Sequence, residues 1–217
     1  MSLINAVFFD VDGTLADARL DITGAMNRVL KTLGRPERPS GEIASYIGTG
    51  VKDLIRKSLG ACGDDAGLVD RATGMYEEEY LKHPADHAIL YPGVVKLLKD
   101  LPDKRKFILT NRYSHLASAL LEKLGIRAFF EEVFGGDDED SIKPSASVMR
   151  RILPAVRVDK KESIIVGDMA IDVMTGKNSG IRTCWVTYGL GKKEDVLPLK
   201  PDYVIDNIFE LGKIITP

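Results

Sequence analysis

Short apolar runs that stop abruptly at polar residues recur along this chain. Ile4 to Phe9, Lys106 to Leu109, Ser163 to Val166, Arg182 to Thr187 and Tyr203 to Ile205 are rich in apolar residues on both faces of an extended segment. That pattern predicts strands buried between two helical layers. Between these runs the apolar period becomes helical. Val94, Val95, Leu97, Leu98 and Leu101 form one stripe, between Pro92-Gly93 and Pro102. Leu116, Ala117, Leu120, Leu121 and Leu124 form a second, stopped by Gly125, and Val148, Met149, Ile152 and Leu153 form a third, ended by Pro154. Strands alternating with helices predict an α/β fold with a doubly wound, mostly parallel sheet.

Residues 16–88 break the rhythm. Ile22, Ala25, Met26, Val29, Leu30 and Leu33 mark one helix, stopped near Gly34-Arg35-Pro36; Val51, Leu54 and Ile55 mark another. Leu68, Val69, Ala72, Met75 and Tyr76 mark a third, and no strand pattern separates them. The expectation is a small all-helical domain, 16–88, inserted after the first strand into an α/β core made of 1–15 and 89–217.

Composition agrees with that division. The 217 residues are 44% apolar, enough for a substantial core without disulfides or a structural metal. Thirty basic and 32 acidic residues leave a net charge of −2, which gives no bulk attraction for nucleic acid or an anionic membrane. An anionic ligand must therefore be held by local groups. No apolar run approaches the roughly 20 residues that span a bilayer, and Asp10 and Asp12 interrupt the apolar run nearest the N-terminus, so no signal peptide is expected. Cys62 and Cys184, the only cysteines, form no C-x-x-C and suit a reducing compartment. A soluble cytoplasmic protein is expected.

The chemistry gathers where the apolar runs end. Ligands of a parallel open sheet bind at the carboxyl ends of its strands. Asp10-Val11-Asp12 ends the first run with two carboxylates that project to one side of an extended segment; Gly13 allows a tight turn and Thr14 offers a hydroxyl. Asp168 and Asp172 follow another run, four residues apart across the first turn of an expected helix. Converging carboxylates make a hard oxygen site suited to Mg2+. One carboxylate can attack phosphorus while a second protonates the leaving oxygen and later deprotonates water. Thr110 and Asn111, ending a further run, can bind phosphoryl oxygens, and Lys143 can supply the point charge that holds a dianion.

Phe9-Asp10-Val11-Asp12-Gly13-Thr14-Leu15, Thr110-Asn111, Lys143-Pro144 and Gly167-Asp168-Met169-Ala170-Ile171-Asp172 resemble, in order and spacing, the four motifs of the haloacid-dehalogenase-like (HAD) hydrolase superfamily. The helical insertion resembles that family's small cap. Tyr46 to Val51, Leu90 to Val94, Gly135 to Asp138, Thr187 to Gly189 and Pro201 to Ile205 are similar to the phosphoglycolate-phosphatase-like branch. The resemblance covers essentially the whole chain. It implies a Rossmann-like core and a magnesium-dependent phosphatase acting through an aspartyl-phosphate on a small phosphomonoester, with 2-phosphoglycolate favoured. Asp10 would be the nucleophile and Asp12 the acid and base. Magnesium would lie on the Asp10 and Asp168 carboxylates and the Asp12 backbone carbonyl, with Asp172 in support. Gly13, Thr14, Thr110, Asn111 and Lys143 would hold the substrate, Thr110 and Lys143 also serving catalysis. The implied partner is a small molecule alone, for a monomer or homodimer. The same chemistry leaves open a phosphosugar mutase of the β-phosphoglucomutase type, a nucleotide or pyrophosphate phosphatase, and a non-catalytic module that binds a phosphorylated ligand.

Three positions depart from the family pattern: Met169 in the fourth motif, Ser145-Ala146-Ser147 after Lys143-Pro144, and Arg112 after Thr110-Asn111. Arg112 is a candidate contact for the non-reacting end of the substrate. Gly48-Thr49-Gly50 reads either as the turn leading into a cap helix or as a specificity loop; Lys52 and Arg56 read either as surface charges or as contacts for a substrate carboxylate. A calcium-loop reading of Asp10 onward fails, because Leu15 stands where that loop needs glycine. Asp137 to Asp140 reads as a solvated loop, and His83 and His87 as surface residues. His115 is placed at the rim of the site. Cys62, Cys184 and Trp185 read as structural, and Met26 and Met75 as core.

Overall fold

All four residues of β1 (Ala6–Phe9) are buried, and the strand lies inside the sheet with a neighbour on each side. The structure is a computed structural model and describes residues 3–216. Alternate side chains of β1 enter opposite layers. Val7 and Phe9 join the larger apolar cluster; Ala6 and Phe8 join a second one with Phe107, Leu109, Met149 and Ile165. Phe8 stacks on Phe107 with ring centroids 5.0 Å apart. Each such aromatic contributes about 1.5–3 kcal/mol by leaving water.

The remaining strands are β2 (Ala16–Asp17), β3 (Ile89–Leu90), β4 (Arg105–Leu109), β5 (Glu132–Phe134), β6 (Ser163–Gly167), β7 (Arg182–Val186) and β8 (Tyr203–Ile205). The main sheet has the order β5-β4-β1-β6-β7-β8, and every neighbouring pair in it is parallel. From β1 the chain moves outward through β4 and β5, then returns to build β6, β7 and β8 on the other side. The crevice at the carboxyl ends of β4, β1 and β6 is thus the topological switch point, where open parallel sheets bind ligands.

β2 and β3 pair antiparallel, with Ala16 opposite Leu90 and Asp17 opposite Ile89. The two connections to the helical segment therefore run side by side. Between them lie helices Arg19–Thr32, Ser40–Ala44, Val51–Leu59 and Ala66–Lys82. Helix Arg19–Thr32 packs along Ala66–Lys82, helped by an Arg28–Glu79 ion pair of 3.0 Å, and Asp65 caps the latter by accepting from the Leu68 N–H. Met26, Ile43, Ile55 and Tyr76 share the apolar cluster of Val7 and Phe9, so the helices rest on the same core as the sheet.

Local pattern and structure differ in a few places. The ladder of β1 begins at Ala6, although Ile4 is buried and the Asn5 N–H still reaches the Glu162 carbonyl (2.8 Å). β5 has no apolar signature, because only Val133 of its three residues is buried. Helix Ser40–Ala44 buries Ile43 alone, too little for a period to show. Helix Ala146–Val156 continues past Pro154. The proline lacks an N–H only near the end of that helix, where the N–H groups of Arg157 and Val158 close it on the Pro154 and Leu153 carbonyls. His83 pairs with Asp86 and His87 with Asp21, both with exposed rings. Among the described residues no helix is long and apolar enough to cross a membrane.

Candidate active site

Strand register brings the chemistry together. Phe9 lies level with Ile108 on β4 and Val166 on β6. Asp10 therefore emerges one residue beyond that line, and Thr110 and Asp168 two residues beyond it, at one edge of the sheet. Asp10 is buried, and its N–H donates to the Val166 carbonyl at 2.9 Å, which extends the ladder into the site. Gly13 has φ +87°, and a Cβ there would overlap the Asp168 carboxylate, so only glycine lets this loop pass so close. Asp168 is fully enclosed. Its Oδ1 accepts from the Thr14 hydroxyl (2.8 Å), and its Oδ2 from the N–H groups of Leu190 (2.6 Å) and Gly191 (3.3 Å).

Lys143 bridges two carboxylates. Its Nζ lies 2.9 Å from Asp10 Oδ1 and 2.7 Å from Asp172 Oδ1. The other oxygen of Asp172 accepts from the Met169 N–H at 2.9 Å, capping helix Ala170–Ser179. Asn111 fastens the lysine loop to the sheet: its Oδ1 accepts from the Lys143 N–H (2.7 Å), and its Nδ2 donates to the carbonyls of Lys143 (3.0 Å) and Gly48 (2.8 Å).

Electrostatics oppose this crowding. Burial raises the pKa of Asp10; Asp172 and Asp12 add to the rise, and Lys143 opposes it. Burial also raises Asp168, with Asp10 and Asp172 pushing the same way. Burial works against the Lys143 ammonium, yet Asp10 and Asp172 outweigh it and raise its pKa. One oxygen each of Asp10, Asp168 and Asp172 fall within 4.8 Å of one another. Among the described residues the four carboxyl groups of Asp10, Asp12, Asp168 and Asp172 outnumber the buried cations beside them, Lys143 and Arg112, a surplus of acidic groups that favours a bound cation. The donors are all hard oxygens, so these residues fit magnesium.

Arg112 and Asp12 form a buried pair. Nε donates to Oδ2 (3.1 Å) and Nη2 to Oδ1 (2.7 Å), and the guanidinium lies 4.6 Å from the Tyr80 ring centre. Asp10, Asp12, Thr110, Asn111, Arg112, Lys143, Gly48 and Gly50 line one narrow cavity of about 40 Å³, closed on the helical side by Ile22, Ile47, Val51, Leu54 and Tyr76. Thr49, Lys52 and Arg56 line a larger outer cavity instead, of about 660 Å³.

The structure thus redistributes several expected contacts. The Thr14 hydroxyl turns to Asp168, the Asn111 amide to backbone, and Asp172 to Lys143. Arg112 holds Asp12. Lys52 pairs with Asp70 at 2.9 Å and Arg56 with Asp53 at 2.8 Å, away from the inner cavity. His115 pairs with Glu77 of the helical segment at 3.0 Å. The Leu190 and Gly191 N–H groups and the Tyr76 wall were not legible as site features. Gly189 and Gly191, flanking Leu190, are the only local signal of a loop pressed against Asp168.

The haloacid dehalogenase-like hydrolase family model matches residues 7–186. The phosphoglycolate phosphatase encoded on a plasmid of Cupriavidus necator is 33% identical over 219 residues, covering 98% of this chain and 93% of that protein. The phosphoglycolate phosphatase of Chromobacterium violaceum is 33% identical over 214 residues, covering 96% and 95%. Among solved structures, a haloacid dehalogenase-like family protein of Streptococcus pneumoniae aligns over the whole of both chains with a TM-score of 0.84 and 26% identity. CbbY of Rhodobacter sphaeroides in complex with phosphate aligns over 97% of both chains, with a TM-score of 0.81 and 25% identity. Fold, motif geometry and kinship agree, and the chain belongs to the haloacid dehalogenase-like hydrolases, in their phosphoglycolate-phosphatase-like branch.

Proposed function

We propose that this phosphatase hydrolyses a small phosphomonoester, 2-phosphoglycolate before others, through an aspartyl-phosphate on Asp10. The observation that carries the reading is the inner cavity, whose polar side holds Asp10, Asp12, Thr110 and Lys143 together. Phosphate sits with its oxygens toward Lys143 and Thr110, which places phosphorus over Asp10. An Asp10 carboxylate oxygen attacks phosphorus, the bond to the ester oxygen breaks, and Asp12 gives that oxygen its proton. Asp12, now a carboxylate, takes a proton from water as the water attacks phosphorus; phosphate leaves and Asp10 is restored. Asp10, Asp168 and the Asp12 backbone carbonyl would hold Mg2+, with Asp172 supporting through Lys143, and the ion supplies charge neutralisation and polarisation of a phosphoryl oxygen.

Residues 16–88 serve as a cap in this reading, swinging on the paired connections at β2 and β3. A cavity of about 40 Å³ holds only a few water molecules. The cap must withdraw for substrate to enter, and a leaving group of two or three carbons asks for the least displacement. A hexose phosphate asks for much more, which favours hydrolysis of a small ester over a sugar mutase.

Phosphate release from 2-phosphoglycolate and from p-nitrophenyl phosphate tests the reading. Asp10→Asn should lower kcat by at least about 10³-fold while keeping the circular dichroism spectrum, and beryllium fluoride with Mg2+ should inhibit the parent. Full activity in EDTA, or normal turnover by Asp10→Asn, would refute it.

A further inference from the structure

Arg112 has a donor that nothing satisfies. Its residue is 7% exposed, and its Nε–Nη2 edge is spent on Asp12, yet Nη1 is buried without a hydrogen-bond partner. The Tyr80 hydroxyl donates to the Pro84 carbonyl at 2.9 Å, and its oxygen is near enough to interact with the guanidinium but makes no hydrogen bond with Nη1. A bare buried donor on a charged group is strongly destabilising, because it has lost its water without gaining a partner. The other buried cations avoid this. Lys106 reaches the carbonyls of Leu101 (2.6 Å) and Lys104 (2.7 Å), and Lys143 reaches two carboxylates. Of the buried, unpartnered side-chain atoms among the described residues, Arg112 Nη1 alone belongs to a residue lining the inner cavity. Apart from the Tyr76 hydroxyl and its glycine backbone the cap side of that cavity is apolar, so Arg112 is the cation there that has hydrogen-bonding capacity to spare.

We propose that the second edge of the Arg112 guanidinium, Nη1 with the remaining N–H of Nη2, receives a carboxylate on the leaving group, and that this selects phosphomonoesters of short hydroxy acids. The inference rests on the phosphatase reading above and adds its specificity residue. One planar cation then holds two carboxyl groups on adjacent edges, the enzyme's Asp12 and the substrate's own carboxylate. That arrangement puts the ester oxygen beside Asp12 when only one or two carbons separate it from the substrate carboxylate. A longer acid overshoots, and a neutral alcohol leaves Nη1 bare. Guanidinium suits this role because its flat fork matches a carboxylate bidentately, which an ammonium cannot do.

The test compares 2-phosphoglycolate with 2-hydroxyethyl phosphate, which has the same chain length and no carboxylate. The parent enzyme should prefer the acid by at least about 100-fold in kcat/KM, since a site built to hydrogen-bond a group rejects the analogue lacking it. Arg112→Gln removes the charge. It should lower kcat for both esters by loosening Asp12, and in addition raise KM for the acid alone, so that the preference collapses to within about threefold. Arg112→Lys should restore part of the preference. An unchanged preference in Arg112→Gln overturns the proposal and leaves Arg112 as a support for Asp12 only. Equal use of the two esters by the parent enzyme overturns it without any variant having to fold. No phosphate release from either ester or from p-nitrophenyl phosphate would instead sink the phosphatase reading itself.

Discussion

Replacing Asn111 by alanine removes the fastening of the lysine loop while leaving every charged group in place. Three interior hydrogen bonds disappear: one from the Lys143 N–H and two to the carbonyls of Lys143 and Gly48. At about 1 kcal/mol net for each bond, plus about 1–2 kcal/mol for the Lys143 N–H left buried without an acceptor, the loss comes to about 4–5 kcal/mol. Water reaching the Gly48 carbonyl from the cavity brings the expectation to about 3–4 kcal/mol. That is a large part of the 5–15 kcal/mol that typically separates folded from unfolded protein, about. Urea unfolding followed by Trp185 fluorescence should show the midpoint falling by about 1–2 M at unchanged slope. Because the lysine loop then has no anchor on β4, kcat/KM should fall at least about tenfold even where the variant is fully folded. Asn111→Asp keeps an acceptor for the Lys143 N–H but turns a carboxylate toward two carbonyls, so it should fare worse than alanine. The reasoning fails if Asn111→Ala unfolds within about 1 kcal/mol of the parent, or if its kcat/KM stays within about threefold.

Asp10 and Asp168 are raised above the ordinary carboxylate value of 3.8, so the folded protein keeps protons that the unfolded chain has released. Metal-free stability should therefore decline as pH rises from about 5.5 to 8, and saturating Mg2+ should flatten that decline; calorimetry in EDTA showing a Tm that climbs with pH would contradict this. Gly13→Ala would press a methyl group into the Asp168 carboxylate at a backbone angle that alanine resists, so Mg2+-dependent activity should drop by at least about 100-fold, read by phosphate release across a Mg2+ titration. Lys52→Ala breaks an exposed pair with Asp70 and should change stability by less than about 1 kcal/mol and kcat/KM by less than about twofold; a large rise in KM for 2-phosphoglycolate would place substrate in the outer cavity instead.

Local physics makes much of this protein legible from its sequence. Runs such as Ala6–Phe9 and Ser163–Gly167 are apolar on both faces because a parallel strand between two helical layers meets no solvent. Where such runs end, the first polar residues must stand at the carboxyl edge of the sheet, which is why Asp10, Thr110 and Asp168 were identifiable as neighbours. Elements too short to carry a period were invisible: β5 buries one residue, and β2 and β3 are two residues each. The partnerships inside the site were equally hidden. Arg112 and Asp12 stand 100 positions apart, and Asn111 and Gly48 stand 63 apart. Nothing in either stretch of sequence says that they will meet.

The apolar periodicity by itself determined the α/β core, the helical interruption and the edge of the sheet at which the chemistry collects. Only the tertiary structure decided what each polar group does there. Strand register and the packing of residues 16–88 onto the sheet gave Asn111 its backbone partners, gave Asp168 the Leu190 and Gly191 N–H groups, and left one edge of Arg112 without an acceptor. Periodicity reports which face of an element leaves water, because burial acts residue by residue along the chain. A hydrogen bond depends on where two distant segments come to rest, and that follows from the packing of the whole.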